Sequence, residues 1–333
     1  MGGRVVCTPM PEVSVVTVFH RDTPFLRPAI ASVLGQTLRD LEYVLVDNGT
    51  GLRADDLGEL GRDPRLRFVR LPRNEGIPAG HNAGVAAATG EFIALLDYDD
   101  LALPHRLERQ AAALRADPGL SLVSALAERI DEQGRSCGKE FCLPNASEHR
   151  AYAPYAAPVV TLLAMARREV LRALPYRAEF PFAADLDFQA RLAERGRMAV
   201  LPEVLLRYRW YSANTTRERA DAIEQSRCAI QILAGRRLSG RPEEIASVLA
   251  ATAVPTAAEA WRRGAELCLA GEFFVFAAFQ ARRSFALERT PTRAVRAARL
   301  AARAWSRAHG VERAQVARMF FTGPVRTLRL HPA

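Results

Sequence analysis

The chain predicts an α/β protein, with a doubly wound, mostly parallel sheet ahead of an all-helical C-terminal region. Two patterns carry that expectation. In the first hundred residues, four short aliphatic runs alternate with helix-like stretches, the order that builds a parallel sheet covered by helices. After about Thr216 these runs give way to Ala, Arg, Leu and Glu, broken only by Gly and Pro. With 333 residues, 49% of them hydrophobic, the chain can bury a large core and a smaller second one.

Val13-Ser14-Val15-Val16-Thr17-Val18 reads as the first strand, with a helical pattern over 24–38. Tyr43-Val44-Leu45-Val46 is the second, running into Asp47-Asn48-Gly49-Thr50, a loop by composition. A third spans 66–71, with a helix over 82–88. The fourth spans 92–96, and a helix follows over 104–116, where Pro104 suits the first turn. Parallel sheets bind ligands beyond the carboxyl ends of their strands, so one rim should collect Phe19, His20, Asp47 and Asp97.

From 120 to 209 the pattern is mixed. Leu122-Val123 opens a strand, 158–171 reads as strand then helix, 185–195 as a helix, and 204–210 as a strand. Later helices break at Gly240-Arg241-Pro242, Val254-Pro255, Gly271, Thr290-Pro291 and Gly310, lengths that suit antiparallel packing. The expected division is 1–215 and 216–333.

Charge is segregated. The chain carries +9 overall, yet residues 282–333 hold twelve Arg against Glu288 and Glu312, a local +10. In a helix over 291–309, Arg293, Arg296, Arg299, Arg303 and Arg307 share one face, and Val295, Ala298, Ala302 and Trp305 line the other. A solvated basic face, an anionic membrane surface and an acidic partner are all compatible with it. Nucleic-acid binding is disfavoured, because few aromatic residues interleave with these arginines. No apolar run reaches the roughly 20 residues of a membrane span, and 1–12 lacks a signal-peptide core. Cys7, Cys137, Cys142, Cys228 and Cys268 form no metal spacing and read as free thiols. Asn145-Ala146-Ser147 matches a glycosylation acceptor without a secretion signal. A cytoplasmic protein is the expectation.

The fourth strand runs Leu95-Leu96 into Asp97-Tyr98-Asp99-Asp100. Three carboxylates at a strand end are costly unless a cation or hydrogen bonds compensate them. A hard divalent ion, Mg2+ or Mn2+, is one compensation, since it prefers oxygen ligands. Capping of the following helix is the other.

The neighbouring motifs bear on that choice. Ala31-Ser32-Val33-Leu34-Gly35-Gln36-Thr37 follows the first strand, and Tyr43-Val44-Leu45-Val46-Asp47-Asn48-Gly49-Thr50 forms the second strand end. Asn74-Glu75-Gly76 comes next, with His81-Asn82-Ala83-Gly84, and then Gly90-Glu91-Phe92 leads to Asp97-Tyr98-Asp99-Asp100. In order and spacing these resemble the family-2 glycosyltransferases, which have the GT-A fold; the resemblance extends over 13–210. It implies metal-dependent, inverting transfer of a sugar from a nucleotide-diphospho-sugar, most readily a UDP-sugar, to an acceptor hydroxyl. Asp47 would accept a hydrogen bond from the base, Asp97 would hold the ribose or assist the metal, and Asp99 would ligate Mn2+ or Mg2+ on the diphosphate. Thr17, Phe19, His20, His81 and Tyr98 fall where the family contacts the nucleotide sugar. Ala184-Asp185-Leu186-Asp187 aligns with the family's Glu-Asp pair, which gives Asp185 the general-base position and leaves Asp187 as the fallback.

The chain departs from the family at Val18 and Arg21, at His81 in place of Arg, at Ala184 in place of Glu, and at Tyr211 in place of His. The absent Glu keeps a second reading open, a non-catalytic nucleotide-sugar-binding or scaffold protein whose basic helices engage a partner. A sugar nucleotidyltransferase would need a glycine-rich phosphate loop after the first strand, where Phe19-His20-Arg21-Asp22 stands. The acceptor is left open among saccharides, lipid-linked sugars, peptides and small natural products. The C-terminal helices are expected to contact an acceptor, a second copy or a membrane surface.

Overall fold

The computed structural model describes residues 10–141, 161–270 and, beyond them, 277, 280, 281, 283, 284, 286, 299–304 and 306–308. These form two units: 10–141 with 161–178 and 196–210, and 179–195 with 211 onward.

In the first unit, β1 (Val13–Phe19) and β2 (Leu41–Asn48) are buried along nearly their whole length. Strands covered on both faces must read as continuous apolar runs, as these do. β1 pairs in parallel with β2, from Val13↔Leu41 to Phe19↔Asp47, and with β4 (Phe92–Leu95), from Val13↔Phe92 to Val16↔Leu95. β3 (Leu66–Leu71) adds in parallel outside β2.

Strand parity decides which helix each side chain meets. Val13, Val15 and Phe19 of β1, with Tyr43 and Leu45 of β2, pack against Leu26, Ile30 and Val33 of α1 (Leu26–Leu34) and Leu107, Ala111 and Leu114 of α3 (Arg106–Ala116). The opposite face carries α2 (Ile77–Ala87), whose Gly84 lies so close to the sheet that a Cβ would run into Val16 and come within 3.1 Å of Val46 Cγ2.

The sheet continues as β3-β2-β1-β4-β8-β6-β9-β5, with β7 also on β6. Its second half is mixed. β8 (Met165–Arg167) runs antiparallel to β4 and to β6 (Leu120–Ile130), β9 (Arg197–Arg209) runs parallel to β6, and β5 (Leu101–Ala102) and β7 (Ser136–Phe141) are antiparallel additions. The two-residue β5 and three-residue β8 are too short to show a period, which is why the sequence pattern turned ambiguous there. α4 (Arg168–Ala173) follows β8 directly.

The second unit holds α5 (Ala184–Ala193), short α6 (Thr215–Glu218), α7 (Ala220–Leu238), α8 (Ile245–Thr252) and α9 (Ala257–Ala270). The breaks expected near Gly240 and Val254-Pro255 fall between helices. Arg237 of α7 grips Glu194 at the end of α5 through Nε at 2.9 Å and Nη2 at 2.8 Å. The expected basic face is exposed at Arg299, Arg303 and Arg307. Its buried side is Leu300, Ala301, Ala304 and Ala308, whereas Ala302, expected there, is exposed. A buried stripe at 300, 304 and 308 follows the four-residue helical spacing, which puts 302 on the far side. Cys137, Cys228 and Cys268 are free thiols. Cys7, Cys142, the Asn145-Ala146-Ser147 triplet, Arg293, Val295, Arg296, Ala298 and Trp305 lie outside the described residues. No helix among the described residues is long and apolar enough to cross a membrane.

Candidate active site

Because β1, β2 and β4 are parallel, their carboxyl ends share one rim, and there the structure gathers several of the expected residues. Asp97, Asp99 and Asp100 form a turn between β4 and β5, closed by Asp100 N–H donating to Asp97 O at 3.3 Å. Each offers one carboxylate oxygen, and these lie within 4.8 Å of one another. The helix-capping alternative does not hold: the N-cap of α3 is His105, which makes no side-chain capping bond, and Asp100 lies further upstream.

The trio is unequally buried, with Asp97 half-buried, Asp99 8% exposed and Asp100 fully enclosed. Burial, then the charges of Asp99 and Asp97, pushes the Asp100 carboxyl well above its ordinary value. One of its oxygens accepts the Arg209 backbone N–H at 2.8 Å. The other, Oδ2, is buried and no hydrogen bond reaches it. An orphaned carboxylate oxygen among two further carboxylates is a hard, all-oxygen donor set, and it fits Mg2+ or Mn2+. Asp100 was not among the expected ligands; its adjacency to Asp99 was the available signal.

The motifs around this turn serve largely to hold it. Ser32 Oγ accepts Ala102 N–H at 3.1 Å, and Gln36 Nε2 donates to Leu103 O at 2.8 Å while its Oε1 accepts Leu107 N–H at 3.0 Å. Thr37 N–H donates to Pro104 O at 2.9 Å. The Ser-x-x-x-Gln-Thr element thus fastens the chain leaving the acidic turn to α1. Likewise Asn48 accepts Glu75 N–H at 2.9 Å and donates to Gly76 O at 3.0 Å, which ties Asn74-Glu75-Gly76 to β2.

The other expected residues take distinct positions. Asp47 is fully buried at the end of β2; its Oδ1 accepts from Thr50 N–H at 2.8 Å and Thr50 Oγ1 at 2.7 Å, its Oδ2 from Gly51 N–H at 3.0 Å, and Arg70 Nε lies 3.6 Å from Oδ2. Its carboxylate shapes the 49–51 loop, so a nucleotide base would share oxygens already in use. Thr17 and Phe19 point into the core. Burial pushes the Tyr43 hydroxyl up, keeping it protonated to donate to Thr17 Oγ1 at 3.0 Å, and Phe19 meets Phe68 edge-on at 6.1 Å. Their side chains are therefore turned away from the rim.

His20 stands at the rim, its ring perpendicular to that of Tyr98 at 5.7 Å, and Arg21 Nε donates to its Nε2 at 3.1 Å. That bond leaves the proton of neutral His20 on Nδ1. His81 on α2 is 6% exposed and lies against Tyr176, with ring centres 5.3 Å apart. Asn82 holds that segment reciprocally, donating to Tyr176 O at 2.8 Å and accepting Tyr176 N–H at 2.9 Å.

In the second unit, Asp185 is half-buried in the first turn of α5, after an N-cap at Ala183 that makes no side-chain bond. Asp187 is fully buried and paired with Arg191 at 2.8 Å. That pairing commits the fallback residue to the interior of its own helix unit.

A model of the glycosyl transferase family 2 matches residues 14–174. The uncharacterized glycosyltransferase MJ1057 of Methanocaldococcus jannaschii is 31% identical over 207 residues, covering 60% of this chain and 71% of that protein. Succinoglycan biosynthesis protein ExoO of Rhizobium meliloti is 37% identical over 100 residues, 30% of this chain and 29% of its own. Among solved structures, S. aureus TarS 1–349, in complex with UDP-GlcNAc, superposes with a TM-score of 0.55 at 15% identity, covering 90% of this chain and 82% of that one. This last likeness speaks for the GT-A fold alone. Joined to the archaeal relative and to the family match, it leads to one conclusion: the chain belongs to glycosyl transferase family 2 and is a glycosyltransferase.

Proposed function

We propose that the protein transfers a sugar from a nucleotide-diphospho-sugar, first of all a UDP-sugar, to an acceptor hydroxyl, with a divalent cation and with inversion at the anomeric carbon. One observation supports this most: the family's acidic strand end is a packed trio whose buried Asp100 Oδ2 has no hydrogen-bond partner. Asp99 would hold Mn2+ or Mg2+, with Asp97 assisting or holding the ribose. When bound, such an ion offsets the charge that develops on the departing diphosphate. His20, Tyr98 and His81 would line the nucleotide sugar, Asp47 and the backbone at Thr17 and Phe19 would meet the base, and Asp185 would take the acceptor proton.

The displacement balances in one step. The acceptor oxygen gives its proton to Asp185 and attacks the anomeric carbon. The bond from that carbon to the diphosphate oxygen breaks, and the electron pair leaves with the nucleoside diphosphate. A single displacement inverts configuration. Residues 1–215 would form the transferase domain and 216–333 a helical region for acceptor, self-association or membrane contact. Exposed Arg299, Arg303 and Arg307 support contact with an anionic surface, and the free thiols suit a reducing cytoplasm.

The test is nucleotide release from a panel of UDP-sugars with and without Mn2+, followed by NMR of the product anomer. Mn2+-dependent turnover is expected, reduced roughly 10²- to 10⁴-fold in Asp185→Ala, the usual size of a general-base contribution, and lost in Asp99→Ala. Metal-independent turnover, an unchanged Asp185→Ala or a retained anomer would sink the corresponding part. Tight donor binding with no turnover would restore the scaffold reading.

A further inference from the structure

Arg209, the last residue of β9, lies far in sequence from the acidic turn, yet it bonds to two of its residues. It is 4% exposed. Its backbone N–H donates to Asp100 Oδ1 at 2.8 Å, and its Nε donates to the Asp99 carbonyl at 2.9 Å. Its Nη1 donates to the carbonyls of Asp131 and Glu132, at 2.9 and 3.0 Å, in the turn joining β6 to β7. The guanidinium stacks over the Phe25 ring at 4.4 Å, just ahead of α1. One residue therefore fixes the main chain of Asp99, fixes the carboxylate of Asp100, and anchors both to two other elements.

We infer that Arg209 is a positioning residue, which sets the orientation of the Asp99 and Asp100 carboxylates toward a cation and thereby the affinity of the corner for it. This rests on the reading of Asp99 as a metal ligand. Three physical points carry it. Fixing the Asp99 carbonyl restrains the direction of its Cα–Cβ bond, so that only the two side-chain torsions are left to place the carboxylate. A planar guanidinium presents several donors in a fixed fork, so it can hold three carbonyls at once, whereas an ammonium cannot. Groups that orient metal ligands by hydrogen bonds typically change affinity or activity by about 10- to 100-fold when removed. Arg209 also presents its charge to Asp100 from the enclosed side, so it orients the turn without needing a coordination position itself.

The experiment is an EPR titration of the full chain with Mn2+ alone, alongside thermal melting, for wild type, Asp99→Ala, Arg209→Lys and Phe25→Leu. Arg209→Lys should stay folded, and its Mn2+ dissociation constant should rise roughly 10- to 100-fold. Phe25→Leu, which removes the ring beneath the guanidinium and leaves the carbonyl bonds in reach, should raise it by a smaller factor. Adding guanidinium to Arg209→Ala at millimolar levels should recover part of the lost affinity, which a general loss of packing would not allow. If Asp99→Ala binds Mn2+ as wild type does, the metal reading itself fails. If Asp99→Ala abolishes binding while Arg209→Lys leaves it unchanged, the metal reading stands and the role given to Arg209 is overturned. Should Arg209→Lys not fold, Phe25→Leu decides in the same way: weakened Mn2+ binding supports the role, and unchanged binding overturns it.

Discussion

His81 should make the fold sensitive to mild acid. It sits on α2 with 6% of its surface exposed, packed on Tyr176, and no hydrogen bond reaches its Nδ1. Burial therefore penalises the imidazolium and pulls its pKa from 6.5 down to about 4. An unfolded chain takes up this proton near 6.5, whereas the folded chain does so only near 4. Between those values the unfolded state binds more protons, so stability is complete above 6.5 and is lost as pH falls toward 4. A separation of about 2.5 units, at 1.36 kcal/mol each, gives ~3 kcal/mol by the bottom of that window. Urea denaturation of wild type and His81→Gln across pH 4 to 8 measures it, because titrations common to both chains cancel in the difference. Wild type should lose ~3 kcal/mol relative to the variant on going from the top of the range to the bottom. A pH-independent difference would refute the argument. The same shift keeps His81 neutral at pH 7, so it offers no cation where the family's Arg would.

Two further substitutions probe the packing on either side of the site. Gly84→Ala should destabilise the chain by about 1–3 kcal/mol in denaturant, because its Cβ would run into Val16 and α2 would have to lift from β1 and β2; unchanged stability would mean the helix yields freely. In the second unit, Glu224 accepts from Trp261 Nε1 at 2.9 Å and from Arg283 Nη2 at 2.7 Å, and Arg227 and Arg283 hold its carboxyl below the ordinary range despite burial. Glu224→Ala should cost about 1–3 kcal/mol, since it removes the partner of the half-buried Arg283 and of Trp261, and Trp261 fluorescence should shift as its partner goes; a silent spectrum would contradict the hydrogen bond.

How much of this the sequence disclosed depended on range. The parallel half was legible because each strand is a continuous apolar run and each turn carries its own residues: β3 lies where the pattern put it, at Leu66–Leu71. The acidic turn was legible because an apolar run stops at Asp97. The antiparallel half was not, since β8 joins β4 to β6 through three residues whose partners lie some 40 to 75 positions away. Thr17 and Phe19 could have been placed by parity alone, because they alternate in phase with Val13 and Val15 and so face the same core. Asp187 could not, as its burial against Arg191 depends on what α5 packs upon. Arg209 left no local sign, because its partners come from three separate segments, at Phe25, at Asp99-Asp100 and at Asp131-Glu132.

The electrostatics of the acidic turn show why its motif cannot be read as an independent unit. Three carboxylates within 4.8 Å would repel one another and the low-dielectric interior would amplify that repulsion. The compensation comes from elsewhere in the chain. Arg106 on α3 is fully enclosed, its Nη2 donating to Leu95 O at 2.5 Å and its Nε to Gln110 Oε1 at 3.1 Å. Burial pulls its own pKa down to about 9, and the neighbouring Asp100 opposes that pull. Arg209 enters from β9 on the other side. Burial and its two neighbours push the Asp100 carboxyl up, so the negative charge of the turn rests on Asp97 and Asp99, beside an Asp100 Oδ2 that no hydrogen bond reaches. The helix after the turn and β9 thus bring positive charge to the turn, against the carboxylates a divalent cation would meet. The motif contributes the carboxylates, but it is the packing of α3 and β9 that makes so dense a cluster of them tolerable in the folded state.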